Sequence, residues 1–249
     1  MNRFRSPRMP DLSQRDARLT ELMDNPDCDA RRLRRTLRRF AVVNAAVAHW
    51  GAVYRGYLRP VLARLEADLP RTIRLLDIGC GAGDVLRGVV RRARSDGFAV
   101  EALGINPDPR AIDLARAMRP LTGVTFSRCH SRALVAAGER FDIVISNHVL
   151  HHLDDHSFAD LIADSESLAS ELTLHSDIAR SRGAYAAFAV AAAPLAPGSF
   201  VRIDGLRSIR RSYTPAELRA RLPAYWSVER PGRFRLLAVA RAAPNSHAG

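Results

Sequence analysis

Asp77, Gly79, Gly81, Gly83 and Asp84 lie in one run, LLDIGCGAGD from Leu75 to Asp84, and they carry the most readable chemistry of this chain. Glycines between an apolar strand and a helix start let the backbone turn sharply and approach a ligand closely, and the helix N-terminus adds a partial positive charge. A nucleotide-like ligand is the expectation. A dinucleotide fingerprint would place glycine at the sixth position of the run from Gly79, where this chain has Asp84. A carboxylate there is unfavourable beside phosphates. Asp77 and Asp84 instead suit a ligand with cationic groups, such as an ammonium and a sulfonium.

The second set of reactive residues is histidine. His148, His151 and His152 follow an expected strand from Phe141 to Asn147, and His175 ends another from Glu171 to His175. Ligands gather at the carboxyl ends of strands in an open parallel sheet, and imidazole is the side chain whose ordinary pKa suits proton removal near neutrality. His148, His152 and His175 are therefore the candidate bases, His175 with Asp177 as an orienting partner, while His151 is expected on the outer face. Arg180, Tyr185 and Tyr213 are candidate contacts to a substrate, with a solvated surface as the alternative for the arginine. No cluster with zinc or magnesium spacing stands out, and Cys28, Cys80 and Cys129 are too scattered for one, so metal-free chemistry is expected.

These residues need a scaffold that brings strand ends together. From Ile73 the chain alternates strands and helices, the pattern of a parallel sheet covered on both faces. Strands are expected at Ile73–Ile78, Val100–Ile105, Val124–Phe126, Phe141–Asn147 and Glu171–His175, with helices at Asp84–Arg94, Pro109–Met118 and Ser157–Leu168. Thr214, Pro215 and Glu217 spell a capped helix start. Trp226–Arg230 and Phe234–Arg241 are close enough to pair as an antiparallel hairpin. The nearly apolar stretch Ala184–Ala196, broken by Pro194 and Pro197, is read either as a buried helix or as a cover over a substrate pocket. Ahead of the sheet lie an expected short helix at Ser13–Met23, a helix from Asp29 with Leu33, Leu37, Phe40 and Asn44 on one face, and another from Ala52 to Ala67. The expected organisation is an N-terminal helical arm or lid over 1–70 and an α/β domain over 71–249 with an insert around 180–222.

A chain of 249 residues with 47% apolar composition can fill one such core. Its N-terminus, MNRFRSPRMPDLSQ, has no apolar stretch after its basic residues, so a cytoplasmic protein without a membrane span is expected, as monomer or homodimer. The net charge of +12 admits a nucleic-acid partner, but every one of the 38 basic residues is arginine, a bias that a GC-rich coding sequence produces whatever the function. Six of them fall between 31 and 39, where a solvated helix face is the plain reading and an anionic partner the sharper one.

LLDIGCGAGD resembles the first motif of the class I S-adenosylmethionine-dependent methyltransferases. Phe141–Leu153, FDIVISNHVLHHL, is similar to the fourth-strand motif of the small-molecule branch, which includes ubiquinone and menaquinone methyltransferases, and Ile209–Leu222 resembles the helix those enzymes carry before the last two strands. The stretch His175–Arg182, HSDIARSR, is similar to that of uncharacterised actinobacterial methyltransferases. The resemblance implies a doubly wound, seven-stranded, mostly parallel sheet with an antiparallel last strand, and S-adenosylmethionine as cofactor. It implies cofactor contacts from Asp77, Gly79, Cys80, Gly81, Gly83, Asn106, Pro107, His130, Ser131 and Asn147. Two positions depart from the family pattern: Asn106 stands where an acidic residue usually accepts the ribose hydroxyls, and His130, followed by Ser131, stands where an aspartate commonly faces the adenine. The function implied is methylation of a small apolar acceptor with a phenolic or enolic hydroxyl, in specialised metabolism. An RNA methyltransferase using the arginine-rich helix, and a non-catalytic partner subunit of the same fold, are the alternatives.

Overall fold

The computed structural model describes residues 9–47, 49–68 and 71–241. The looseness expected of the extreme N-terminus, and the helix stop expected before Pro70, fall partly on residues outside that set.

One seven-stranded sheet organises the described residues, in the order β3-β2-β1-β4-β5-β7-β6. Its strands are β1 (Ile73–Ile78), β2 (Val100–Ile105), β3 (Val124–Ser127), β4 (Phe141–Asn147), β5 (Ala169–Ile178), β6 (Ser227–Glu229) and β7 (Arg235–Arg241). β1 to β5 run parallel, and β7 inserts antiparallel between β5 and β6. The central strands β1 and β4 are buried along almost their whole length because helices cover both faces.

Adjacent residues of a strand point to opposite faces, which divides the core in two. Leu75, Ile143 and Ile145 face one cluster with Leu62, Leu86 and Val90, while Leu76 and Val144 face another with Phe158, Leu218 and Trp226. Each of these fully buried aliphatic side chains contributes about 1.5–3 kcal/mol. The helices that supply the helical members of the two clusters include α3 (Arg59–Asp68), α4 (Asp84–Ser95), α7 (Asp155–Leu168) and, later, α10 (Pro215–Arg221), while α5 (Pro109–Ala117) and α6 (Ser131–Ala136) follow β2 and β3. α10 begins with the expected capping box of Thr214 and Glu217. α4 starts at Gly83, whose φ of 74° and whose missing Cβ, which would fall 2.5 Å from the Phe126 ring, leave no room for another residue.

Ahead of the sheet, α1 (Ala30–Val47) buries Leu33, Thr36 and Leu37 and exposes arginines, as its periodicity predicts. The helix expected over 52–67 begins at α2 (Trp50–Val53), passes through a π-helical turn at Tyr54–Leu58 and continues as α3. That turn inserts one extra residue into the helical register. It keeps Trp50, Tyr54 and Leu58 buried together with Leu62 and Leu65 of the following helix.

Three expectations are corrected. The segment Ser13–Met23 is a chain of turns and not a helix: its N–H groups are taken by distant partners, Asp16 by the Arg210 carbonyl and Leu22 and Met23 by the Asp204 carboxylate. β5 runs three residues beyond His175 because β7 pairs with it as far as Ile178. Of the two readings of the apolar stretch at 184–196, the buried helix is overturned: it forms α8 (Arg182–Ala191), which buries only Ala184, leaves Val190 76% exposed and packs on the surface against α9 (Val201–Arg211). No helix among the described residues is long and apolar enough to cross a membrane.

Candidate active site

A cavity of about 370 Å³ opens at the carboxyl ends of β1, β2, β4 and β5. One end is the glycine turn. Asp77, at the end of β1, is 1% exposed and its Oδ1 has no hydrogen-bond partner, so burial, reinforced by the nearby Asp84, holds its carboxyl well above the usual range. A buried, unpartnered acid is costly unless a cation meets it. Gly79 follows at φ 74°, and a Cβ there would lie 2.5 Å from a Val149 methyl, so only glycine lets the turn sit under the loop after β4. Gly81 also has positive φ, and space lies open beside it.

The expected cofactor residues divide. Asp77, Gly79, Cys80, Gly81, Asn106, Pro107 and Asn147 line the cavity. Gly83 instead serves the packing against Phe126 described above. Asn106 uses its side-chain oxygen to accept the Asp108 N–H at 2.9 Å, and Asn147 shares its oxygen between Trp50 and Arg235. His130 is exposed and Ser131 donates to Asp164 at 2.7 Å, so both lie off the cavity lining.

The other end of the cavity is polar, and the arm and β5 bring Glu21 and Asp177 to the histidines there. His151, expected on the outer face, is 1% exposed and stands between Asp177, with Nδ1 to Oδ1 at 2.7 Å, and Glu21, with Nε2 to Oε1 at 3.2 Å. Burial opposes its charge, but Asp177 and then Glu21 outweigh it and push the imidazole up to about 9. Despite its burial, Glu21 is held below the usual carboxylate range by His152 and His151. Ser208 also donates to Glu21. His152 is part-exposed, with Nδ1 3.3 Å from Asp24 and Nε2 3.7 Å from Glu21. Glu21, Asp24, His148, His151 and His152 all line the cavity.

Two of the three candidate bases have other work. His148 sits at φ 59° after β4, and its Nε2 accepts from Arg235 at 2.8 Å. Burial and that guanidinium keep it well below the usual imidazole range, without a free lone pair for a proton. His175 lies within β5, fully buried, bonded through Nδ1 to Ser146 Oγ at 2.8 Å and stacked on Trp226, away from the cavity. Asp177, its expected partner, turns to His151. Burial lowers His175 to about 3. An unfolded chain therefore binds a proton that the folded one refuses, so this residue's contribution to stability is complete above pH ~6.5 and is lost as pH falls towards 3. His175→Asn is expected to flatten that acid slope in denaturant melts taken between pH 4 and 7. An unchanged slope counts against the assignment.

The expected substrate residues lie elsewhere too. Arg180 is buried and donates to the carbonyls of Leu12, Ser13 and Ser212 and to Glu217. Tyr213 packs edge-on against Phe158 under Arg15, and Tyr185 packs in a small cluster with Ile178 and Ile209. From α8 it is Phe188 that reaches the cavity, lying over Gly205 of α9, and Leu33, Leu37, Phe40 and Val43 of α1 form the apolar wall beside it. The arginines of α1 are not all solvated: Arg39 donates to the Leu195 and Pro197 carbonyls, and Arg32 to that of Ser199.

The strand order, with its antiparallel β7 and a glycine turn after β1, is that of the Rossmann-like methyltransferases. The methyltransferase domain family matches residues 50–221, and the chain belongs to that family. It is similar to ubiquinone biosynthesis O-methyltransferases, at 37% identity over 94 residues for that of Cereibacter sphaeroides, covering 36% of each chain. For that of Azorhizobium caulinodans the figures are 31% over 108 residues and 40% of each. The chain thus spans well under half the length of the curated relatives it matches. Among solved structures it is similar in fold to the plantazolicin methyltransferase BpumL, crystallised with a pentazolic desmethylplantazolicin analogue and S-adenosylhomocysteine. That match has TM-score 0.55 and 12% identity, over 86% of this chain and 97% of that one.

Proposed function

We propose that the protein transfers a methyl group from S-adenosylmethionine to a hydroxyl of a small, largely apolar acceptor, phenolic or enolic, in specialised metabolism. The observation that carries this reading is the continuity of one cavity from the Asp77 glycine turn, past the apolar wall of α1 and Phe188, to the cluster of Glu21, Asp24 and His152. S-adenosylmethionine is the methyl donor. Asp77 would meet its ammonium and Gly79 and Gly81 its methionine backbone, while the Asn106 amide, whose oxygen is already used, remains a donor for the ribose. When bound, the donor supplies an electrophilic methyl on a sulfonium.

An acceptor hydroxyl must lie ~3 Å from that methyl and lose its proton, because a phenol with pKa ~10 is mostly neutral at pH 7. The polar end suits that step. His148 and His152 are both part-exposed imidazoles of the cavity wall, but Arg235 occupies His148 Nε2, which leaves His152, and the carboxylates of Glu21 and Asp24 stabilise the imidazolium it becomes. The O-methyltransferases matched over part of the chain support a hydroxyl acceptor. A second reading, an RNA acceptor, rests on Arg31, Arg34 and Arg38, which stay exposed on α1.

Two measurements test the reading. Calorimetry with S-adenosylhomocysteine is expected to give a single site, and radiolabelled methyl is expected to pass to members of a phenol panel but not to RNA. No binding at millimolar ligand sinks the assignment. Ionisation adds a sign: burial and the nearby Asp84 push the Asp77 carboxyl well above its usual range in the free protein, while an ammonium beside it favours the ionised form, so binding is expected to release protons and to tighten as pH rises. Binding heats that do not vary among buffers of different ionisation enthalpy would argue against that pairing.

A further inference from the structure

His151 and His152 are neighbours in sequence, and both rings are held in the same way. A carboxylate oxygen sits at Nδ1 of each, Asp177 at 2.7 Å from His151 and Asp24 at 3.3 Å from His152. Such a partner fixes the ring proton on Nδ1 and leaves the lone pair on Nε2. Both Nε2 atoms then face a single oxygen, Glu21 Oε1, at 3.2 and 3.7 Å. Two imidazole lone pairs and a carboxylate converging in a buried place call for positive charge between them, supplied by extra protons on the rings or by one cation.

The separations favour a cation of definite kind. The three donor atoms lie within 4.8 Å of one another. In a tetrahedral zinc site with bonds of ~2.0–2.1 Å, neighbouring donors stand ~3.3 Å apart, and the two measured separations bracket that value. Two histidines and a glutamate, with carboxylates behind the histidines, form a donor set that borderline ions accept. All three donors line the cavity, which leaves a further coordination position on its side.

We propose that Glu21, His151 and His152 form a binding site for a divalent transition-metal ion of zinc type, oriented by Asp177 and Asp24 and open to the acceptor end of the cavity. Glu21 and Asp24 come from the N-terminal arm, so the site exists only with the arm docked. Its place in catalysis rests on the methyl-transfer reading. An acceptor hydroxyl bound to the ion releases its proton to solvent, and its oxygen then attacks the methyl carbon as the carbon–sulfur bond breaks to leave a neutral thioether. His152 is then a ligand in place of a free base.

Metal binding can be tested without donor or acceptor. The full chain, stripped with a chelator and desalted, is titrated with zinc chloride, and metal retained after gel filtration is counted. One zinc per chain is expected, with a higher melting temperature in zinc than in chelator. Glu21→Gln and His152→Ala should each weaken binding at least tenfold, whereas His156→Ala, at an exposed position, should leave it unchanged. Absence of stoichiometric zinc, or zinc affinity in both cavity variants unchanged from that of the unsubstituted chain, overturns the proposal. The melting-temperature comparison decides the matter if either variant fails to fold. S-adenosylhomocysteine binding, measured on the same samples, separates the readings: its loss sinks methyl transfer, while failure of zinc alone returns proton removal to His152.

Discussion

Asp77→Asn is expected to weaken S-adenosylhomocysteine binding by roughly 10- to 100-fold, the loss of one charge-assisted contact worth about 1.5–3 kcal/mol. The same change should not lower the melting temperature of the ligand-free protein. In that state the Asp77 carboxyl is buried, its Oδ1 has no partner, and burial with the nearby Asp84 pushes it well above the usual carboxylate range. An uncharged amide of the same shape is therefore expected to fit there at little cost. The two readouts must move apart. A variant that loses stability and affinity together would mean that Asp77 is a structural residue whose partner has been overlooked.

The second large effect is expected at Arg180, and on stability. Its side chain is fully buried and holds two carbonyls of the arm, the Ser212 carbonyl and the Glu217 carboxylate at once. Arg180→Ala strands all of these groups and should cost about 3 kcal/mol, the lower end for breaking a buried pair because Glu217 keeps some contact with water. For a chain of this size that corresponds to a fall of about 6–12 °C in melting temperature. Limited proteolysis should then cut first in the arm, near Leu12 and Ser13. If Arg180→Ala melts normally but loses acceptor turnover, the residue binds substrate after all.

What the sequence discloses and what it hides have physical causes. β1, the glycine turn and α4 can be read directly because they are specified locally: an apolar run, glycines at positive φ, and a helix with Val85, Leu86, Val89 and Val90 on one face. The capping box at Thr214 is equally local. The polar end of the cavity is not. Glu21 and His151 are 130 residues apart, and Asp177 comes from a third segment, so no spacing rule joins them. His151 shows the limit most clearly: VLHHL does not say which imidazole faces inward, and the strand from which Asp177 rises decides it. The arm misleads for a related reason. Its composition permits a helix over 13–23, but carbonyl and carboxylate partners on α9 take the N–H groups a helix would need. Arg180 and Tyr213 have the chemistry of ligand contacts and are consumed by packing, a choice only the folded chain makes.

The way the arm is held has a bearing on how this protein can change. Arg15, Arg180, Arg207 and Arg110 grip it or its neighbours largely through main-chain carbonyls, including those of Leu12, Ser13, Thr20, Met23 and Asn25. Every residue type offers a carbonyl, so most of the arm's side chains can drift over evolutionary time without loosening it. The gripping arginines cannot, since one guanidinium reaches several carbonyls in directions that a lysine ammonium does not match. Among relatives that keep this arm, Glu21 and Asp24 should therefore stand out as islands of constancy in an otherwise variable stretch.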